Sequence, residues 1–159
     1  MYEQDNKYII HGGAEGKARL NILSETLHPY MAPYFRAHRV TEGMTFLDVG
    51  CGGGNVSVLA SEMVGPDGSV VGIDFDEELI KLNRQDLARN GISNILYEAS
   101  DVYSLNYDDQ FDFVFARFLL SHLPTPLTAL KKLTQSEYFK QPIRDALSAG
   151  LKVVLGLPQ

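Results

Sequence analysis

Phe46–Ser57 reads FLDVGCGGGNVS: an apolar run broken by Asp48, then four glycines in five positions around Cys51. Each glycine loses more backbone freedom on folding than alanine does, so ordinary core strands and helices do not accumulate them. Either something approaches this backbone closely, or the chain turns where a β-carbon would clash. TFLDVG has the look of a short buried strand. NVSVLASEMVG behind it has helical spacing and stops near Gly65. A single glycine-rich turn could be no more than a tight connection. Here Asp48, Gly50, Gly52 and Gly54 recur at every second position, and a helix opens immediately behind them.

The alternation continues. Pro66, Asp67 and Gly68 make a turn before a second strand, SVVGID, and Glu77 to Asn90 forms the next helix, closed by Asn90-Gly91. SNILYEAS supplies a third strand and FDFVFA a fourth, after the polar run from Asn106 to Gln110. Ahead of the glycine turn, Leu20, Leu23 and Leu27 show helical spacing from about Ala14 to His38, and Pro29 and Pro33 predict a division into two shorter helices. Apolar strands alternating with helices imply a doubly wound α/β domain, with a parallel sheet covered on both faces. The predicted order is 3-2-1-4, all parallel. In such sheets ligands bind beyond the carboxyl ends of the strands, beside the first one, which is where the glycines fall.

Composition narrows the classes. A chain of 159 residues suits one domain, and 45% hydrophobic residues make it globular. A net charge of −6 argues against a broad nucleic-acid surface, and one cysteine excludes an internal disulfide framework. No apolar stretch approaches the roughly 20 residues of a membrane span, and Met1 to Ile10 lacks a signal-peptide core. The expected setting is the cytoplasm, without a membrane or nucleic-acid partner. His11, His28, His38 and His122 are too scattered for a zinc site.

Nucleotide ligands compete for the turn. The dinucleotide fingerprint G-x-G-x-x-G needs a third glycine where Asn55 stands if read from Gly50, and where Ser57 stands if read from Gly52. It is broken in every frame. A phosphate loop fails as well, because no Gly-Lys-Ser/Thr follows.

Asp-x-Gly-x-Gly-x-Gly at the end of a first strand resembles the first motif of class I S-adenosylmethionine-dependent methyltransferases, a Rossmann-like family. That ligand has no phosphate, so close backbone approach matters more than an anion cradle. The resemblance implies that Gly50 and Gly52 lie against the methionine part, with Cys51 between them in the same turn, and that Asp48 orients the amino group. VVGIDFDEELI resembles the second motif, in which Asp74 accepts both ribose hydroxyls and Phe75 lies near the adenine. EASDVYSL resembles the third, with Asp101 accepting from the adenine amino group and the Val102 amide near a ring nitrogen. FDFVFARFLLSHLPTPLTALKKL resembles the fourth strand and its following helix, with Arg117 and His122 at the mouth. YIIHGGAEGKARL is similar to a cofactor-covering segment of some small-molecule members, which would bring Tyr8, Gly12 and Arg19 near the methionine end. An amphipathic cover helix with a solvated arginine fits these residues equally. Cys51 is read as a small buried filler, neither nucleophile nor metal ligand.

The resemblance covers roughly residues 8 to 133. Beyond Lys132 the family's Pro-Gly-Gly is absent, SAGLKVVLG is at most a degenerate extra strand, and on the order of one hundred residues read as missing against the 200–250 of large single α/β domains. A naturally short chain, a deletion and an incompletely recorded sequence all fit. The expected organisation is a helical cover over 1–40, a cofactor-binding core over 41–135 and an atypical carboxyl-terminal helix and strand over 136–159, within one domain. The implied function is methyl transfer from S-adenosylmethionine, leaving S-adenosylhomocysteine, to a small-molecule acceptor. His122 is the candidate base, against its reading as a histidine simply packed behind the strand. A homodimer covering the bare sheet edge would compensate for the missing strands. A non-catalytic module and a nicotinamide-dependent oxidoreductase are the rival readings.

Overall fold

Four short apolar runs pair side by side. A computed structural model describes residues 13–107 and 110–133. Its elements in chain order are α1 (Gly13–Ala37), β1 (Thr45–Val49), α2 (Asn55–Val64), β2 (Ser69–Asp74), α3 (Glu77–Asn90), β3 (Ile95–Ala99), β4 (Phe113–Ala116) and α4 (Pro126–Leu133), with a single 3-10 turn at Leu120–His122 before α4. The strands take the order β3-β2-β1-β4, and every pair is parallel, as the alternating pattern predicts. Parallel neighbours need a crossover, and α2 and α3 supply it. Tyr8, Gly12, the 136–159 segment and the extra strand expected there lie outside the described residues.

Alternation along β1 sorts the core. Phe46 joins Phe35, Leu59, Val64, Val70 and Tyr97 on the face covered by α1, α2 and α3. Leu47 and Val49 join Ile73, Phe111, Ala129 and Leu133 on the face covered by α4. Successive side chains of a strand point to opposite faces, so a run buried on both is apolar throughout. Tyr97 crosses the first layer: its ring lies where a β-carbon on Gly72 would fall, and its hydroxyl donates to the Gly54 carbonyl at 3.2 Å.

Helix boundaries follow their local chemistry. The Asp76 side chain accepts from the Glu78 and Leu79 amides to start α3, and Gly91 ends it in the left-handed conformation. The division at the prolines does not occur: α1 runs unbroken over 25 residues with Pro29 and Pro33 inside it. Proline removes the bond to the carbonyl four residues earlier, here those of Glu25 and Pro29. Glu25, Pro29 and Pro33 are all exposed, so both freed carbonyls fall on the solvent side, where water can serve them. Phe35 near the end of α1 anchors it, packing edge-on against Phe46, Phe113 and Phe115 at ring separations of 5.3, 6.0 and 5.1 Å.

Among the described residues no helix is long and apolar enough to cross a membrane.

A continuous α1 pinned at one end has consequences measurable by urea denaturation. Phe35 is 0% exposed, so Phe35→Ala should lose about 3–5 kcal/mol through its cavity. Pro29→Ala should gain on the order of 1 kcal/mol, less than the ~3 kcal/mol propensity difference because proline also restricts the unfolded chain. No gain at Pro29 would argue for a true break there.

Candidate active site

Beyond Val49 the backbone turns back toward β2, and the Gly50 and Cys51 amides both donate to the Ile73 carbonyl, at 2.8 and 2.9 Å. Gly50, Gly52 and Gly54 have φ of 72°, 53° and 83°. The every-second-position pattern in the sequence is therefore an alternation of left-handed backbone, which side chains with a β-carbon rarely adopt. Gly53, between them, is not in that region.

The Gly52 peptide is gripped on both sides. Its amide donates to Asp74 Oδ2 at 2.8 Å, and its carbonyl accepts from Asn83 Nδ2 at 2.7 Å. Asn83 Oδ1 in turn accepts from Lys17 Nζ at 2.7 Å, and Lys17 reaches Asp86 at 2.6 Å, so α1 is tied through α3 to the turn. The other Asp74 oxygen accepts from the Asp76 amide at 3.0 Å. Burial raises the Asp74 pKa, and these backbone donors pull it back.

Asp48, at the end of β1, is 3% exposed and accepts from Ser57 Oγ at 2.6 Å. Burial pushes its carboxyl up to about 6, opposed by the Ser57 hydrogen bond and the charge of Arg117, and reinforced by Asp74. Arg117 follows directly after β4. Burial lowers its pKa, and Asp48 opposes that. Its guanidinium carbon lies 5.5 Å from the centroid of the Phe118 ring, and Phe118 has a φ of 58°, a rare conformation for a bulky residue.

These groups line a cleft of about 970 Å³ across the carboxyl ends of the strands, within the size range of small-molecule sites. Asp48, Gly50, Cys51, Gly52, Asp74, Phe75, Asp101, Val102, Arg117 and His122 all contribute to its wall. Phe75 is 72% exposed at the lip, and Asp101 is exposed, holding the Tyr103 amide at 2.9 Å. His122 is exposed in the 3-10 turn. Cys51 is buried, and burial pushes its thiol up, which suits a filler. Arg19 does not join the others: it is exposed, and α1 presents Leu20, Leu23 and Ser24 to the cleft instead. One residue shifts a helical position by about 100°, enough to move Arg19 off the facing stripe.

Sequence reasoning passed over Ser57, Asn83 and Lys17. Two of them carry a signal. Asn83 sits four and three residues after the buried Leu79 and Ile80, and Ser57 lies among the buried positions of α2. A polar residue on the apolar stripe of a helix needs a partner inside.

Residues 40–141 match the model of a family described as a methyltransferase domain. Among curated proteins, the demethylmenaquinone methyltransferase of Geobacillus kaustophilus (strain HTA426) is 33% identical over 99 residues, covering 62% of this chain and 42% of that protein. The demethylmenaquinone methyltransferase of Staphylococcus carnosus (strain TM300) is 32% identical over 117 residues, covering 72% of this chain and 48% of its own. The chain thus spans about half the length of the curated relatives it matches. A solved SAM dependent methyltransferase from Aquifex aeolicus superposes with a TM-score of 0.67 at 27% identity, over 78% of this chain and 67% of that one.

Asp48 makes stability depend on pH in a defined sense. Its folded value of about 6 lies above the ordinary aspartate value of 3.8, so the folded protein holds this proton more tightly than the unfolded chain. Its contribution is therefore fully present below about pH 4 and is lost as pH rises through about 6, leaving a cost on the order of 3 kcal/mol at neutrality. Asp48→Asn can still accept from Ser57. It should unfold at higher urea than the parent at pH 7 and at similar urea near pH 4. Equal midpoints at pH 7 would remove the claim.

Proposed function

The chain belongs to the methyltransferase domain family, and on that footing we propose that its cleft binds S-adenosylmethionine and that it transfers the methyl group to a small-molecule acceptor. The observation that carries this reading is Asp74. It stands at the cleft end of β2 with each oxygen already held by one backbone amide, from Gly52 and from Asp76. A carboxylate oxygen has two lone pairs, so each retains one for a ribose hydroxyl. The rest of the lining fits the same ligand. Gly50 and Gly52 offer bare backbone to the methionine part, Asp48 a carboxylate to its ammonium, Phe75 a ring to the adenine, and Asp101 and Val102 polar contacts to the adenine edge. Cys51 fills the turn and makes no bond in this assignment.

When bound, S-adenosylmethionine supplies a methyl carbon on a sulfonium, so a lone pair of the acceptor can form the new bond while the carbon–sulfur pair returns to sulfur. The chain's own residues align the partners, and alignment alone can contribute roughly 7–11 kcal/mol. His122, exposed at the mouth, takes the proton from an acceptor that arrives protonated. The names of the curated relatives supply the first acceptor to try, a demethylmenaquinone. The same reading places the protein in the cytoplasm, with a homodimer covering the β4 edge.

Calorimetric titration tests the reading. S-adenosylmethionine and S-adenosylhomocysteine should bind and NAD should not. Asp74→Ala should weaken both by about ten-fold to a few hundred-fold, the net loss of one bond worth about 1.5–3 kcal/mol at 1.4 kcal/mol per decade, water serving the second hydroxyl. Since Asp74 also holds the Gly52 amide, this variant should lose some stability too. Cys51→Ser should bind normally. Binding of NAD alone, or an Asp74→Ala that binds as tightly as the parent, would overturn it.

A further inference from the structure

Gly53 is the one glycine of the turn whose backbone does not itself require glycine: unlike Gly50, Gly52 and Gly54, it lies outside the left-handed region. What crowds it is α1. A β-carbon on Gly53 would stand 3.2 Å from Asn21 Oδ1, 3.6 Å from Leu20 Cβ and 3.8 Å from Lys17 Cγ, and one on Gly52 would stand 3.0 Å from Leu20 Cδ1. Lys17, Leu20 and Asn21 lie three and four residues apart, so one stripe of α1 sits on this peptide. Asn21 Oδ1 also accepts from Asn55 Nδ2 at 3.2 Å, at the start of α2.

The same peptide is held a second way. The Gly52 carbonyl, which belongs to the link between Gly52 and Gly53, accepts from Asn83 Nδ2 at 2.7 Å, and Asn83 Oδ1 accepts from Lys17 Nζ at 2.7 Å. An ammonium only donates and a carbonyl only accepts, so a side-chain amide has the two ends this bridge needs, in one orientation. Asn83 is 2% exposed, so water is not at hand to replace either bond. The bond from Lys17 is charge-assisted, and polarising the amide makes its N–H a better donor to Gly52. Asp86 also accepts from Lys17, at 2.6 Å, but its side chain is 44% exposed, and an ion pair that open to water contributes little.

We propose that Lys17 is a positioning residue for the cleft: through Asn83 it fixes the peptide between Gly52 and Gly53, so the seating of α1 on the glycine turn and the occupancy of the cleft strengthen each other. The next link is in place, since the Gly52 amide donates to Asp74 Oδ2 at 2.8 Å. Coupling of this kind is reciprocal: a ligand that binds better to the fixed turn must also tighten α1. The inference rests on the cofactor reading above and goes past it, because Lys17 is not part of the cleft wall and touches no ligand in that reading.

Calorimetric titration of the full chain with S-adenosylhomocysteine separates this relay from a simple ion pair. Lys17→Met should bind about five- to fifty-fold more weakly than the parent, whereas Asp86→Ala should stay within about two-fold. Asn83→Leu should lose at least as much as Lys17→Met. Adding Lys17→Met to it should cost less than about a further two-fold, because Lys17 acts through Asn83. A ligand-free measurement follows the Gly52 amide by hydrogen exchange in NMR spectra: Lys17→Met should speed its exchange several-fold, though Lys17 does not touch that group. Should Asn83→Leu lose its fold by circular dichroism, the other two variants and the exchange measurement still decide. Unchanged affinity in Lys17→Met, equal losses in Lys17→Met and Asp86→Ala, additive losses in the double variant, or an unmoved Gly52 amide would each overturn the relay. A parent chain that binds no S-adenosylhomocysteine would instead sink the cofactor reading, and the Gly52 amide would still decide the relay.

Discussion

The peptide group of Gly52 is the point on which the site hangs. Asp74 takes its amide and Asn83 feeds its carbonyl, so one peptide is fixed to β2 on one side and to α3 on the other. Lys17 then carries the link into α1. A turn made of glycines has little steric rigidity of its own, because the missing side chains that let it bend also leave nothing to pack. Hydrogen bonds to a buried asparagine and a half-buried carboxylate replace that packing. The same carboxylate is the group assigned to the ribose, so the residue that would read the ligand also shapes the surface the ligand meets.

Much of this was legible in the sequence, for different reasons at different places. The strand order follows from alternation of apolar runs and helices, a pattern set by burial on two faces and hard to imitate by chance. The glycine turn was legible because left-handed backbone imposes a residue type directly, and Gly50, Gly52 and Gly54 print that requirement at every second position. The course of α1 was misread because proline's local rule is strong, while its exemption depends on which way the freed carbonyls face, here toward solvent. Sequence left Arg19 open between cleft and solvent because helical phase is set by tertiary contact, and its exposure on α1 matches the solvated reading. Ser57 and Asn83 left a visible mark, a polar residue on a buried stripe, but their partners lie 9 and 31 residues away in the chain.

The buried acids give up stability at neutral pH. Asp48 in particular is ionised against its surroundings, with one hydroxyl and a neighbouring guanidinium to offset the loss of water. Binding sites commonly hold groups that the fold alone would not choose, and the cost is tolerated because the rest of the core carries it. Here the three phenylalanines of the sheet, together with Phe35 from α1, form an aromatic cluster on the covered face.

One ring in that core constrains more than its own position. Tyr97 occupies the space where β-carbons on both Gly54 and Gly72 would fall, though one glycine lies in the turn and the other in the middle of β2. Gly72 has ordinary strand backbone, so the tyrosine ring and the nearby Ser57 hydroxyl are what deny it a side chain. Positions 54, 72 and 97 are therefore not independent letters. As long as 97 is aromatic, larger residues at 72 are closed off. Once 97 shrinks, the glycine at 72 becomes a void in need of filling, and the Gly54 carbonyl loses one of its two donors, keeping the Val58 amide. A change at any of the three alters which changes the others will tolerate, so this corner of the sheet is epistatic, and substitutions here would be expected to enter together or not at all.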